Sequence, residues 1–137
     1  MKKTNLVSLR IITADIKRLV QFYEGATGIT AKWLTDDFAE VVTNSFTLAI
    51  GSTRTLAFFG EGVAQPATNK SVIIEFIVEN VDEDYKRITD LTGDIVQKPA
   101  TMPWGNRSLL FRDPDSNLIN FFTPVSEEAI AKFSSSR

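Results

Sequence analysis

The sequence predicts an α+β protein built from two tandem βαβββ modules, whose mixed sheets surround a shared cup. Three observations predict it. Val7 and Val72, Asp15 and Asn80, Thr27 and Thr92, and Gly28 and Gly93 recur at one constant separation. A repeat of this length marks a duplicated module rather than a solenoid. Leu6 to Thr13 and Val72 to Val78 are alternating, strand-like runs, each followed directly by a helix start. The segment from Pro103 to Pro124 reads as strand, tight turn, strand, with Asp113-Pro114-Asp115-Ser116-Asn117 supplying turn chemistry between Leu109–Phe111 and Leu118–Phe122.

In the first module, Val7, Leu9 and Ile11 share one strand face, and Ser8, Arg10 and Ile12 share the other. Asp15 caps a helix carrying Ile16, Leu19, Val20 and Tyr23 at helical spacing, and Gly25 or Gly28 ends it. Ala31–Leu34, Ala39–Phe46 and Thr55–Phe59 follow as three β-like runs. Phe58-Phe59 and Phe121-Phe122 then recur at a slightly shorter separation than the other pairs, which equates the two last strands. Residues 61–70 are small and loop-like and form the linker between module one, about residues 5–60, and module two, residues 71–124.

In the second module, Asn80 and Glu83 form a capping-box variant, and Val81, Tyr85 and Ile88 make a helical stripe ending before Gly93. A helix must cover one face of each sheet. Val7, Leu9 and Ile11 are expected under the first, and Val72, Ile74, Phe76 and Val78 under the second. Ser8, Arg10 and Ile12, with Ile73, Glu75 and Ile77, are then left to line the cup. In the tail, 125–137, Ser126 caps a short helix with Ala129, Ile130 and Phe133 on its apolar side, and Ser134-Ser135-Ser136-Arg137 is expected to fray.

Composition narrows the chemistry. A chain of 137 residues with 43% hydrophobic and 23% charged residues reads as one globular domain with a sizeable core. A net charge of −2, with no Lys/Arg block, argues against a nucleic-acid partner. No apolar run approaches membrane-spanning length, and Leu6–Ile12 is broken by Ser8 and Arg10, so no signal peptide is read and a cytoplasmic location is expected. Cysteine is absent, which removes disulfides and thiol chemistry; histidine is absent too, which removes imidazole as a metal ligand or general base.

The doubled module, the Asp15 helix start followed by Phe22-Tyr23, and the hairpin Arg112-Asp113-Pro114-Asp115-Ser116-Asn117-Leu118 resemble the vicinal oxygen chelate superfamily of glyoxalases, bleomycin-resistance proteins and extradiol dioxygenases. The resemblance spans Leu6 to Pro124, and within the superfamily it points to the metal-free bleomycin-resistance-like branch. It implies paired βαβββ modules around a cup and a homodimer. It also implies, in the family's enzymes, a divalent metal held by His and Glu from four strands. Carried onto this chain, those ligand positions fall on Ser8, Ala57, Ile73 and Asn120. None is His or Glu, so no metal and no cofactor are expected.

The expected function is sequestration of an aromatic or drug-like small molecule. Trp104 supplies an aromatic wall, with Gly105 permitting close approach, and Trp33 is a second stacking surface or a packing aromatic. Asn120, Arg10, Glu75 and Arg107 are the candidates to orient the ligand. Arg10 and Glu75 hold equivalent places on the two first strands, where they pair across the cup structurally or orient a polar ligand. Two alternatives stand beside this reading. One is a lyase- or isomerase-like enzyme with Glu75 as base and Arg10 or Arg107 as electrostatic stabiliser, or with an oxygen-ligand metal site. The other is a degenerate family member that acts through protein interaction.

Overall fold

The computed structural model describes residues 3–134. Of the stretch expected to fray, Ser134 instead ends the last helix, and residues 135–137 lie outside that range. The chain divides into two compact units, Met1–Thr68 and Asn69–Arg137, with the division inside the small-residue linker. Each contains a four-stranded mixed sheet and a covering helix. Among the described residues no helix is long and apolar enough to cross a membrane.

The first unit contains β1 (Ser8–Thr13), α1 (Ile16–Thr27), β2 (Lys32–Thr35), β3 (Phe38–Val42) and β4 (Thr47–Ser52). Its sheet order is β1-β4-β3-β2, with β1 parallel to β4 and the other pairs antiparallel. Helix α1 starts where the Asp15 carboxylate accepts the Arg18 N–H, and ends at Gly28, whose left-handed backbone donates its N–H to the Glu24 carbonyl. Ile16, Leu19, Val20, Tyr23 and Ala26 bury one stripe of the helix. Cross-strand partners share a sheet face, which groups the buried Ala39 and Val41 of β3 with Leu48 and Ile50 of β4. This is the helix-covered face.

The expected strand at Thr55–Phe59 is not a strand. Thr53–Leu56 form a 3-10 turn, in which the Ser52 hydroxyl accepts the Arg54 N–H and the Thr55 hydroxyl donates to the Ser52 carbonyl. The fourth strand is β4, split from β3 by a turn in which the Thr43 N–H and hydroxyl both bond the Phe46 carbonyl. Hydroxyl side chains that bond nearby backbone end the ladder at both places. Phe58 is accordingly 97% exposed and is not the counterpart of Phe121. Val7 and Val72 also lie outside the strands and are exposed, while Ile12, expected in the cup, is buried.

The second unit contains β5 (Ile73–Ile77), α2 (Val81–Leu91), β6 (Ile95–Thr101), β7 (Asn106–Arg112), β8 (Leu118–Pro124) and α3 (Glu127–Ser134). Its sheet order is β5-β8-β7-β6, the same plan as the first. On the α2 face, Phe121 meets Phe76 and Phe111 edge-on, with Leu109 and Ile119 buried beside them. Thr123 ties the start of α2 to the sheet, accepting the Val81 N–H and donating to the Val78 carbonyl. The β7–β8 hairpin is closed by Asp113, which accepts N–H groups from Asp115 and Asn117 and the Asn117 side-chain amide.

Candidate functional site

The second sheet has one face under α2 and another that α2 leaves open. Register assigns the side chains. Glu75 pairs with Asn120, Asn120 with Leu110, and Leu110 with Gln97, so these four form a row straight across β5, β8, β7 and β6 on the open face. Ile73 and Leu118 flank the row on one side, and Ile77, Phe122 and Ser108 on the other. Beyond Phe122, helix α3 covers that end of the face. The Ser126 hydroxyl caps it by accepting the Ala129 N–H, and Phe133 packs on Phe122 with centroids 5.2 Å apart.

The row is polar where an apolar sheet face would be simplest. Asn120 Nδ2 donates to Glu75 Oε2 at 2.9 Å. Asn120 Oδ1 and Gln97 Nε2 are buried yet have no hydrogen-bond partner. Leaving a buried amide atom unpaired costs about 1–3 kcal/mol, so native proteins keep such groups few. Asn106 Oδ1 is a third unpartnered atom on the same face, closer to α3. The row can therefore accept a hydrogen bond at Asn120 and Glu75, donate one at Gln97, and offer apolar surface at Leu110 and Ile77.

The expected site residues distribute differently from the sequence reading. Asn120 and Glu75 come together. Arg107 belongs to the opposite face: its Nε and Nη2 bond the two oxygens of Asp82 at 2.8 and 3.0 Å. Those hydrogen bonds hold the Asp82 carboxyl below its usual range and raise the Arg107 guanidinium. Trp104 sits at the tip of the β6–β7 hairpin, 65% exposed, where the Met102 and Gly105 backbones close the turn. The close approach at Gly105 is made by α3 rather than by a ligand. A Cβ there would overlap the Ser126 hydroxyl and stand 3.2 Å from the Ala129 Cβ. Trp33 pairs with Ala39, which puts it at the sheet edge on the α1-covered face, 42% exposed.

Arg10 and Glu75 are each engaged within their own unit. The Arg10 guanidinium lies over the rings of Phe38 and Phe59, at 5.1 and 5.5 Å from their centroids. Because β1 pairs with β4 as β5 pairs with β8, the counterpart of Asn120 is Ala49, the partner of Arg10, and not Ala57. Sequence reasoning passed over Gln97 altogether. It lies on β6, where register shifts on both sides of it interrupt the alternation that would have revealed the strand.

The residues at the positions that the resemblance assigns to metal ligands do not fit a metal. Ser8, Ile73, Asn120 and either Ala57 or Ala49 offer a hydroxyl, alkyl groups and an amide. Among the described residues no three His, Cys, Asp or Glu side chains cluster.

Comparison with known proteins agrees with this architecture. The family model described as Glyoxalase/Bleomycin resistance protein/Dioxygenase superfamily matches residues 5–121. The uncharacterized protein YraH of Bacillus subtilis is 29% identical over 127 residues, covering 85% of this chain and 96% of its own. An integron cassette protein from the mobile metagenome of V. cholerae is 29% identical, with a TM-score of 0.67 over 90% of this chain and 97% of its own. A glyoxalase/bleomycin resistance protein/dioxygenase from Nocardioides superposes with a TM-score of 0.74 at 19% identity, covering 93% of this chain and 87% of its own. With two strand–helix–three-strand units and a family match from β1 into β8, the chain belongs to the glyoxalase/bleomycin resistance protein/dioxygenase superfamily.

Proposed function

We propose that the protein is a metal-free binder of small organic molecules, a cytoplasmic homodimer that holds its ligand on the open face of the second sheet. The observation that carries this reading is the pair of buried, unpartnered amide atoms, Asn120 Oδ1 and Gln97 Nε2, on one row. Two strand spacings set them about 10 Å apart, with Leu110 between. A planar ligand with a donor at one end and an acceptor at the other satisfies both while its apolar body covers Leu110. Affinity comes from that desolvation, and orientation from the amides and Glu75. The presence of bleomycin-resistance proteins in the superfamily supports binding without chemistry, as does the donor set at the family's metal positions.

The test is a thermal-shift and tryptophan-fluorescence titration of the metal-stripped protein with planar lactams and amides of cationic, neutral and anionic type. At least one is expected to saturate and raise the melting temperature. Asn120→Leu and Gln97→Leu are each expected to weaken it about tenfold, the worth of one hydrogen bond of about 1.4 kcal/mol. Gln97→Leu should melt no lower than the parent, because it loses an unsatisfied buried atom, whereas Asn120→Leu also gives up the hydrogen bond to Glu75. Binding that survives both substitutions, or no response across the panel, overturns the reading.

A further inference from the structure

We propose a second recognition element, in the first unit: Arg10 is a receptor for the carboxylate of an amphipathic monoanion. This rests on different residues from the amide row and stands or falls separately from it. Arg10 projects from β1 on the face opposite the one covered by α1, next to Ala49 and in the same row as Glu40 of β3. Its guanidinium is held against two rings. Phe38 comes from β3, and Phe59 from the segment that the 3-10 turn folds back over the sheet. Gly51 makes that return possible, since a Cβ there would stand 2.8 Å from the Thr55 hydroxyl oxygen.

Both contacts are made over ring faces, at 5.1 and 5.5 Å from the guanidinium carbon, and neither is a hydrogen bond to an oxygen acceptor. Among the described residues no carboxylate or carbonyl accepts a hydrogen bond from Arg10. This contrasts with Arg54 and Arg107, whose guanidinium nitrogens bond Asp37 and Asp82. Arg10 keeps its five N–H donors without a protein acceptor, beside two rings that restrict where the side chain can go, and a guanidinium fork meets a carboxylate with two parallel bonds. Two further features define the ligand. Phe59 is exposed and lies against the guanidinium, so an apolar body attached to the carboxylate has a surface to cover. Glu40 lies two strands along the row, about 10 Å away, and separates Arg10 from Lys32 on β2, so Arg10 meets a ligand as a single cation. The chemistry selected is one carboxylate on an aromatic or aliphatic body, not a polyphosphate.

The experiment follows the Arg10 Nε–H resonance by NMR while the full chain is titrated with benzoate, benzamide and inorganic phosphate. Benzoate is expected to shift the resonance saturably and benzamide to leave it in place. Arg10→Lys keeps the charge but loses the fork, and Phe59→Ala releases the guanidinium from one ring. Each is expected to weaken benzoate about tenfold, followed in the lysine variant by the backbone amides of β1. Both side chains are solvent-exposed, so an unchanged amide spectrum elsewhere will show that the fold persists. The proposal is overturned if benzoate leaves the Arg10 resonance unmoved, if either variant binds benzoate as the parent does, or if phosphate binds at least as tightly as benzoate.

Discussion

Leu19 in α1 and Asp84 in α2 hold the same place in the duplicated pattern, and only one of them is buried. Leu19 is 1% exposed, whereas Asp84 is part-buried, with its side chain 20% exposed and paired with Arg87. The same divergence runs along both helices. Six α1 side chains are buried, including Phe22, against only Val81 and Ile88 in α2, whose first turn is instead acidic. Tyr23 and Ile88, equivalent and each fully buried, show what the duplication preserved: the central knob of helix on sheet. Around that knob the first unit buries Leu19 and Phe22, where the second carries Asp84 and Arg87. Duplication therefore conserves the backbone plan and two packing points, Ile16 with Val81 and Tyr23 with Ile88, and leaves the remaining helix positions to diverge.

That contrast is broken most forcefully at the two equivalent helix positions. Leu19→Ala is expected to cost about 2–5 kcal/mol, as removal of a fully buried leucine does. Asp84→Ala is expected to stay within about 1 kcal/mol, because it removes an exposed pair and a first-turn charge. Urea unfolding followed by circular dichroism measures both. Similar costs would mean that the two helices carry equal packing loads. The glycines give a second, smaller contrast. Gly28 and Gly105 both have positive φ, at 74° and 93°. A Cβ at Gly28 meets nothing within 4 Å, whereas at Gly105 it runs into Ser126 and Ala129 of the α3 start. Gly28→Ala should cost about 1 kcal/mol from backbone strain alone. Gly105→Ala adds the overlap and should cost about 2–4 kcal/mol.

The sequence disclosed the parts of the fold that repeat with constant spacing. Asp15 and Asn80 both cap helices, β1 and β5 both open a module, and the Asp113–Asn117 turn does what its residues are chemically disposed to do. It misled where two apolar pairs matched by accident. Phe58-Phe59 imitate Phe121-Phe122, yet they follow a hydroxyl-capped turn and lie outside any ladder, so the wrong alanine was paired with Asn120. The site was legible only in halves. Glu75 and Asn120 could be placed by register from the duplication. Gln97 could not, because bulges around it erase the period of two. Nor does spacing reveal that Arg107 would turn to Asp82, which depends on a contact between β7 and the first turn of α2.

The smallest expected effect concerns one carboxylate in each unit. Asp37 is held below its usual range first by the Ser52 hydroxyl, which donates to it at 2.8 Å, and further by Arg54. Asp82 is held down by Arg107. In both cases the folded protein binds the proton less readily than the unfolded chain. Each contribution is therefore complete above the unfolded value of about 3.9 and is lost as pH falls through the lower, folded value. Asp37→Asn and Asp82→Asn should each flatten the fall in stability between about pH 5 and about pH 2 by lowering stability slightly at neutral pH and leaving it unchanged where the carboxyl is protonated, since solvent keeps both surface pairs weak. Salt separates them. At about 1 M, screening acts over about 3 Å and weakens the attraction between Asp82 and Arg107, whereas the neutral Ser52 hydroxyl remains a donor. Carboxyl titrations by NMR should then show Asp82 moving further toward its ordinary value than Asp37. Equal movement would mean that Arg54, not Ser52, governs Asp37, and that the two units hold these carboxylates in the same way.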